Sequence, residues 1–374
     1  MFGRNTLTRV LAVAAVALLL LGAGGGRWPS RAAAQQQQQP PPAPRQTPTP
    51  APPQEQEVDD EDDVVRVETE LTNVLFTAVD KGKRFVTSLR KEDVRVLEDG
   101  VEQEVTVFQR ETDRALSLAI LIDTSASQER TLPEEKSAAQ RFVDTVIRPS
   151  KDEVAVLSFT GETTLEQGLT GTPARIRSAI DRVEFVPPSG YIGGGMVTGT
   201  PPISGDNQRR AGSTAIWDAI YVTTREVLFE TSDKTRRAII LLSDGIDTNS
   251  RVKVAEAIDS ALKTDTIIYS IGIGDSFSFD GVDEGSLRKL SENTGGRAFF
   301  PRSEEDLRVA FSQIQDELRS QYLVAYSSTN KVKDGSFRKV RIEITNPELA
   351  RQNLRLTYRQ GYFAQRDAAP RKNK

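Results

Sequence analysis

The chain has 374 residues, a formal net charge of −4, and neither Cys nor His. Those two absences exclude disulfide staples, the usual zinc and copper sites, and nucleophilic catalysis through Ser-His-Asp or Cys-His pairs. An acidic balance leaves no electrostatic footprint for nucleic acid, so no nucleic-acid partner is expected.

Residues 1–34 read as a secretory signal peptide. Arg4 and Arg9 precede an apolar run from Val10 to Leu21, and Ala32-Ala33-Ala34 offers small residues before Gln35. A cut near Gly22 to Gly25 is one alternative. Retention as an N-terminal anchor is another, although so short an apolar run is a poor membrane span. The leader carries four Arg and no acid, so its loss leaves a charge of about −8. The expected location is secreted, or in the periplasm or cell envelope, with no transmembrane segment after signal removal. Residues 35–63 are rich in Gln and Pro and close on Asp59-Asp60-Glu61-Asp62-Asp63. Such a segment cannot bury a core, and it reads as a disordered, solvated tether.

Residues 64–112 alternate like antiparallel strands: Val65 to Thr69, Val74 to Val79, Val94 to Glu98 and Val105 to Phe108, with turns at Asp80 to Lys83 and Asp99-Gly100. Four short strands make a thin half-domain. Residues 321–364 supply three more, Tyr322 to Tyr326, Arg338 to Ile344 and Leu354 to Arg359. Lys333-Asp334-Gly335-Ser336 reads as a hairpin turn between the first two. The two segments are expected to share one small β-sandwich, with two separate sheets as the competing picture. Residues 365–374 read as a disordered tail.

Between them, residues 113–320 alternate strand and helix, the pattern of a doubly wound α/β sheet. Leu116 to Ile122 and Ala238 to Leu242 are continuous apolar runs, read as strands buried on both faces. Glu153 to Phe159 and Thr266 to Gly272 read likewise, and Thr164 to Leu169 reads as an antiparallel edge. Thr131-Leu132-Pro133-Glu134 spells a capping box opening a helix to Ile147. Further helices are predicted after Thr172-Pro173, over Ala215 to Phe229 and over Val252 to Lys263. The last helix starts at Ser303, with Leu307, Ala310, Phe311, Ile314 and Leu318 along one face.

The chemistry gathers at strand ends. Asp123, Ser125 and Ser127 follow the first buried strand, Thr214 opens a helix, and Asp244 follows the second buried strand in Ser243-Asp244-Gly245. The C-terminal edge of an open α/β sheet is where ligands bind. One carboxylate and two hydroxyls on a short turn suit a hard divalent cation. The ordinary reading is turn and cap residues, which Asp, Ser and Thr favour.

The order D-x-S-x-S, helix-opening Thr, strand-S-D-G resembles the metal-ion-dependent adhesion site of von Willebrand factor type A domains. All five positions are filled, by Asp123, Ser125, Ser127, Thr214 and Asp244. The resemblance implies a Rossmann-like fold inserted into, or flanked by, the small sandwich. It implies a Mg²⁺ site, open to Mn²⁺ or Ca²⁺, in which the hydroxyls ligate directly and the carboxylates act mainly through water. It further implies a protein partner that offers an acidic residue, and no enzymatic activity. The flanking L-x-x-E-D-V-x-V-x-E-D-G and R-x-G-Y patterns resemble exported acidobacterial proteins with A-type domains.

Two other features have two readings each. Asp247 reads either as an acceptor behind the site or as a plain loop residue. The Gly/Pro-rich segment 186–212 reads as a specificity loop or a spacer, and without Lys-Ser/Thr after its glycines it is not a phosphate loop. Two further functions compete: a structural envelope protein without metal-dependent binding, and a phosphatase-like hydrolase. The hydrolase reading lacks an Asp two residues after Asp123, where Ser125 stands.

Overall fold

The computed structural model describes residues 71–111, 113–187, 191–192, 195–196, 213–232, 235–274 and 281–366. The expected leader, the tether, the strand at Val65 to Thr69 and nearly all of segments 186–212 and 365–374 lie outside the described residues.

Strands β1 (Thr72–Val79), β2 (Val94–Glu98), β3 (Val101–Gln103) and β4 (Val105–Arg110) come first. The α/β unit follows: β5 (Leu116–Asp123), α1 (Leu132–Val146), β6 (Glu153–Phe159), β7 (Thr163–Thr170) and α2 (Pro173–Arg182). After the short pair β8 (Tyr191–Ile192) and β9 (Gly195–Met196) come α3 (Ile216–Val222), β10 (Arg236–Ser243), α4 (Val254–Lys263) and β11 (Thr266–Gly272). The unit closes with α5 (Glu284–Thr294), β12 (Ala298–Phe299) and α6 (Glu304–Arg319). The chain ends in β13 (Tyr322–Tyr326), β14 (Phe337–Ile344), α7 (Pro347–Arg351), β15 (Arg355–Tyr358) and β16 (Gly361–Phe363).

The central sheet runs β12-β11-β10-β5-β6-β7, parallel except for the antiparallel edge β7. Every residue of β5 and β10 is buried, because helices cover both faces. Leu118, Ile120 and Ile122 of β5 pack with Phe142 of α1, Ile180 of α2 and Phe311 of α6. Ala119 and Leu121 point the other way, into the cluster of Ile216 and Ile220 of α3, Ala257 of α4 and Leu290 of α5. This is a doubly wound, Rossmann-like α/β fold.

The flanking strands form two four-stranded antiparallel sheets, β15-β1-β13-β4 and β16-β14-β2-β3. Each contains strands from both ends of the chain: Phe76 pairs with Tyr322 in one, and Val96 with Ile342 in the other. Their inner faces share one core of Val74, Phe76, Val96, Tyr322, Val324 and Val340. The rings of Phe76 and Tyr322 stack at 5.1 Å.

Local departures from the sequence reading have identifiable causes. The turn at Lys333 to Ser336 does not make a hairpin of β13 and β14, which lie in different sheets. Residues 327–336 cross between the sheets instead, and Arg338 anchors the crossing through the carbonyls of Asn330 (3.2 Å) and Val332 (2.6 Å). Asp99-Gly100, both at positive φ, does form a hairpin turn, but with the three-residue β3 rather than with β4. The Thr131 capping box is not made. The hydroxyl goes to the carbonyl (3.4 Å) and side-chain oxygen (3.3 Å) of the buried Gln128, which compete with the helix for it. The helix predicted to Phe229 passes into a π-helical turn at Thr223–Leu228. There the hydroxyls of Thr223 and Thr224 bond back to the carbonyls of Ala219 and Tyr221. Ser303 does cap α6, accepting from the Asp306 N–H at 3.1 Å. Among the described residues, no helix is long and apolar enough to cross a membrane.

Candidate functional site

Strands β5 and β10 are adjacent and parallel, paired from Leu116↔Arg236 to Ile122↔Leu242. Their C-terminal ends lie side by side. Asp123 closes β5 and Asp244 follows β10, and both are buried, at 0% and 4% exposure.

Asp123 is held at both oxygens. Oδ1 accepts from the Ser125 N–H at 2.9 Å and Oδ2 from the Ser243 hydroxyl at 2.7 Å. Burial, and then the charge of Asp244, push its carboxyl up to about 7. Burial also raises Asp244, against the pull of Ser127, Gln128 and the Ile246 N–H, which donates to Oδ1 at 2.9 Å. Gly245 sits between them at φ +82, where a Cβ would fall 2.7 Å from Leu287 Cγ.

Ser125 leads from β5 into the 3₁₀ turn Ala126–Gln128. Its hydroxyl lies 3.2 Å from that of Ser127. The buried Gln128 donates to Ser127 Oγ at 3.3 Å and to the Ile273 carbonyl at 3.1 Å, so the turn is pinned to the chain beyond β11.

Thr214 is buried just before α3. Its N–H donates to Thr248 Oγ1 at 2.9 Å, and its carbonyl accepts from the N–H groups of Thr248 (2.9 Å) and Asn249 (3.0 Å). The same loop caps the helix. Asp247 Oδ1 accepts from the Ile216 N–H at 2.8 Å, and Ser250 Oγ from the Trp217 N–H at 3.0 Å. In return Asp218 accepts from the Val252 N–H at 2.9 Å. Asp247 is thus the N-terminal cap of a helix that lies before it in the chain, its oxygens taken by Ile216 and Ser250.

Four of the predicted residues, Asp123, Ser125, Ser127 and Asp244, are linked by hydrogen bonds or by mutual charge. Thr214 is bonded instead to Thr248 and Asn249, in the loop that follows Asp244. Three participants were not foreseen: Ser243, Gln128 and Glu135. Glu135, on the buried face of α1, has no exposed surface, and neither carboxylate oxygen has a hydrogen-bond partner. Burial pushes it up to about 8, and the charges of Asp123 and Asp244 add to that. The Thr131 hydroxyl pulls the other way but is engaged by Gln128. The signal was present in helical spacing, since Leu132, Glu135, Ala139 and Phe142 share one face. Among the described residues, no group of three or more Asp, Glu, His or Cys side chains is placed to hold a metal ion. The candidate set has two carboxylates, and its remaining donors are hydroxyls.

The family model of the von Willebrand factor type A domain matches residues 118–246. The chain carries a von Willebrand factor type A domain. All five candidate residues fall inside the matched stretch of the A-type domain. Such domains are in general interaction modules rather than enzymes. No curated protein matches the chain.

Among solved structures, the chain is similar to proximal thread matrix protein 1 from the mussel byssus, in a form with a zinc-occupied MIDAS motif. Identity is 20% over 59% of this chain and 50% of that one, with a TM-score of 0.45. The chain therefore spans half the length of the mussel protein. It is also similar to a von Willebrand factor type A protein from Catenulispora acidiphila, at 14% identity over 81% of this chain and 76% of that one, TM-score 0.44. BatB, a conserved hypothetical protein from Bacteroides thetaiotaomicron, is similar at 18% identity over 54% of this chain and 98% of that one, TM-score 0.40.

Proposed function

We propose that the chain is an exported, metal-dependent protein-binding module whose A-type domain captures an acidic group of a partner protein. The single observation that carries this reading is the buried pair Asp123 and Asp244 at neighbouring strand ends, each raised by burial and the first also by its neighbour. Two carboxylates held so close in a dry site invite a cation, which removes both penalties at once. Asp123 and Asp244 supply the charge, and Ser125, Ser127 and Thr214 supply neutral oxygens. Mg²⁺ is the expected ion, with Mn²⁺ or Ca²⁺ as substitutes, because hard cations take oxygen ligands. Bound there, the ion offers an open position to a carboxylate from outside. The hydrogen bonds of Ser243 and Gln128 hold the donors in place before any ion arrives.

In this reading, residues 113–320 bind the ligand, and the segments 64–112 and 321–364 form the platform that carries them. Residues 35–63 tether the body. Mg²⁺ or Mn²⁺ should raise the melting temperature of the chain, because a ligand specific to the folded state stabilises it by mass action. Asp123→Ala should abolish that response and leave the protein folded. Equal thermal shifts in mutant and wild type would remove the basis for the site. Export predicts that mass spectrometry of the mature chain shows a loss of about 3 kDa from the N-terminus. An intact Met1 in a membrane fraction would contradict it.

A further inference from the structure

A cavity lies at the other end of the α/β sheet from Asp123. The first residues of β10 and β11 face the sandwich across it, and its volume is about 150 Å³. Its lining residues include Arg114, Arg236, Arg237 and Arg359, against one acidic residue, Asp265. An excess of one sign in a half-enclosed space favours an anion that shares it.

Two of these groups are incompletely used. Arg236 is 5% exposed. It donates through Nη1 to the Leu318 carbonyl and to Gln321 Oε1 (3.1 Å), and through Nη2 to the Arg114 carbonyl (3.1 Å). All three acceptors are neutral, and its buried Nε–H has no acceptor. Arg359, in the turn between β15 and β16, donates through Nη1 to Asp265 and through Nη2 to the Asn73 carbonyl at 2.6 Å. Its buried Nε–H also has no acceptor. Arg237 differs, with its donors directed to Thr231 and Thr264.

We propose that this cavity binds a small oxyanion of the phosphate type, held by Arg236 from the α/β unit and Arg359 from the sandwich. A tetrahedral oxyanion offers acceptors in several directions, and guanidinium groups match it in charge and geometry. Its double charge offsets more of the excess than a single carboxylate could. The cavity is several times the roughly 30 Å³ that one water occupies in the liquid, so the ion fits. The bound anion would join the two halves of the molecule far from Asp123. The proposal is independent of the metal site.

The test is calorimetric titration of the full chain with inorganic phosphate, against chloride at constant ionic strength. Saturable binding is expected, together with a melting temperature that rises with phosphate concentration. Arg359→Gln should weaken binding about tenfold or more, the scale of one charge-assisted hydrogen bond. Asp265→Asn, which removes the charge competing for Arg359, should tighten it. Position 265 is at φ +50, where Asn is well tolerated, so this variant should fold. No saturable response beyond chloride overturns the proposal. So does unchanged affinity in Arg359→Gln. If that variant does not fold, Asp265→Asn decides, and an affinity no tighter than wild type refutes the site.

Discussion

Glu98 of β2 and Arg338 of β14 form an ion pair across the two ends of the chain, 3.1 Å apart and each 2% exposed. Burial pushes the Glu98 carboxyl up, but the hydroxyls of Ser328 and Tyr362, with Arg338, hold it below the usual range. Glu98→Gln removes the negative charge and keeps the volume. The one amide oxygen of that variant, in the place of Oε1, can still accept from Ser328, now at 2.5 Å, while its NH2 faces the Tyr362 hydroxyl, now at 2.7 Å, which must turn to accept. Arg338 keeps the two carbonyls of the crossing segment but loses its counter-charge. Removing one partner of a buried pair costs about 3–5 kcal/mol, and the surviving bonds place this case near the lower end. For a chain of this size that lowers the melting temperature by roughly 5–10 °C. Urea and thermal unfolding of Glu98→Gln, Arg338→Met and the double variant measure it. The double variant should recover most of the loss, because no uncompensated charge remains. A loss below about 1 kcal/mol for Glu98→Gln, or full additivity in the double variant, would refute the reasoning.

The folded protein holds Glu135 protonated up to about 8, against an ordinary value of 4.5. The folded state therefore binds that proton more tightly, and the resulting stability is full at acid pH and lost as pH rises through about 8. In chelator, wild-type stability should fall from about pH 5 to pH 8, and Glu135→Gln should flatten the decline; equal slopes would show that Glu135 does not titrate in this window. A chain ending at residue 321 leaves β1 without β13 and β15, and β2 without β14. Limited proteolysis should then cut within residues 71–111 while the α/β unit resists; equal resistance of 71–111 would show that those strands stand alone.

The α/β core was legible because its strands carry continuous apolar runs and its helices carry apolar faces at helical spacing. Leu116 to Ile122 could hardly be anything but a strand covered on both sides. The segregation of the sandwich strands was not legible. Alternation marks which face of a strand is buried but not which sheet it joins, so β13 and β14 read as a hairpin. Strand β3 was missed because three residues carry almost no periodicity. Helix α5 was missed because Gly285 and a polar first turn mask Leu287 and Leu290. Its start is set by Asp283, which accepts from the Ser286 N–H at 3.0 Å. At the candidate site, Asp123 and Asp244 stood out by their place at strand ends. The capping of α3 by Asp247 and Ser250 lay beyond reach, since it joins segments more than thirty residues apart.

The two ends of the α/β unit meet where it leaves and re-enters the sandwich: the Glu111 N–H donates to the Gln321 carbonyl at 2.8 Å. Loop-closure entropy favours assembly of the α/β unit before the strands that flank this junction. β1 and β13 lie roughly 250 residues apart in the chain, and an unfolded loop of that length resists closure. Once the α/β unit has formed, its own packing holds the flanking segments together, and the pairing of Phe76 with Tyr322 becomes local. The folded α/β unit therefore spares the sandwich part of that closure cost, and its unfolding should weaken the pairing of β1 with β13.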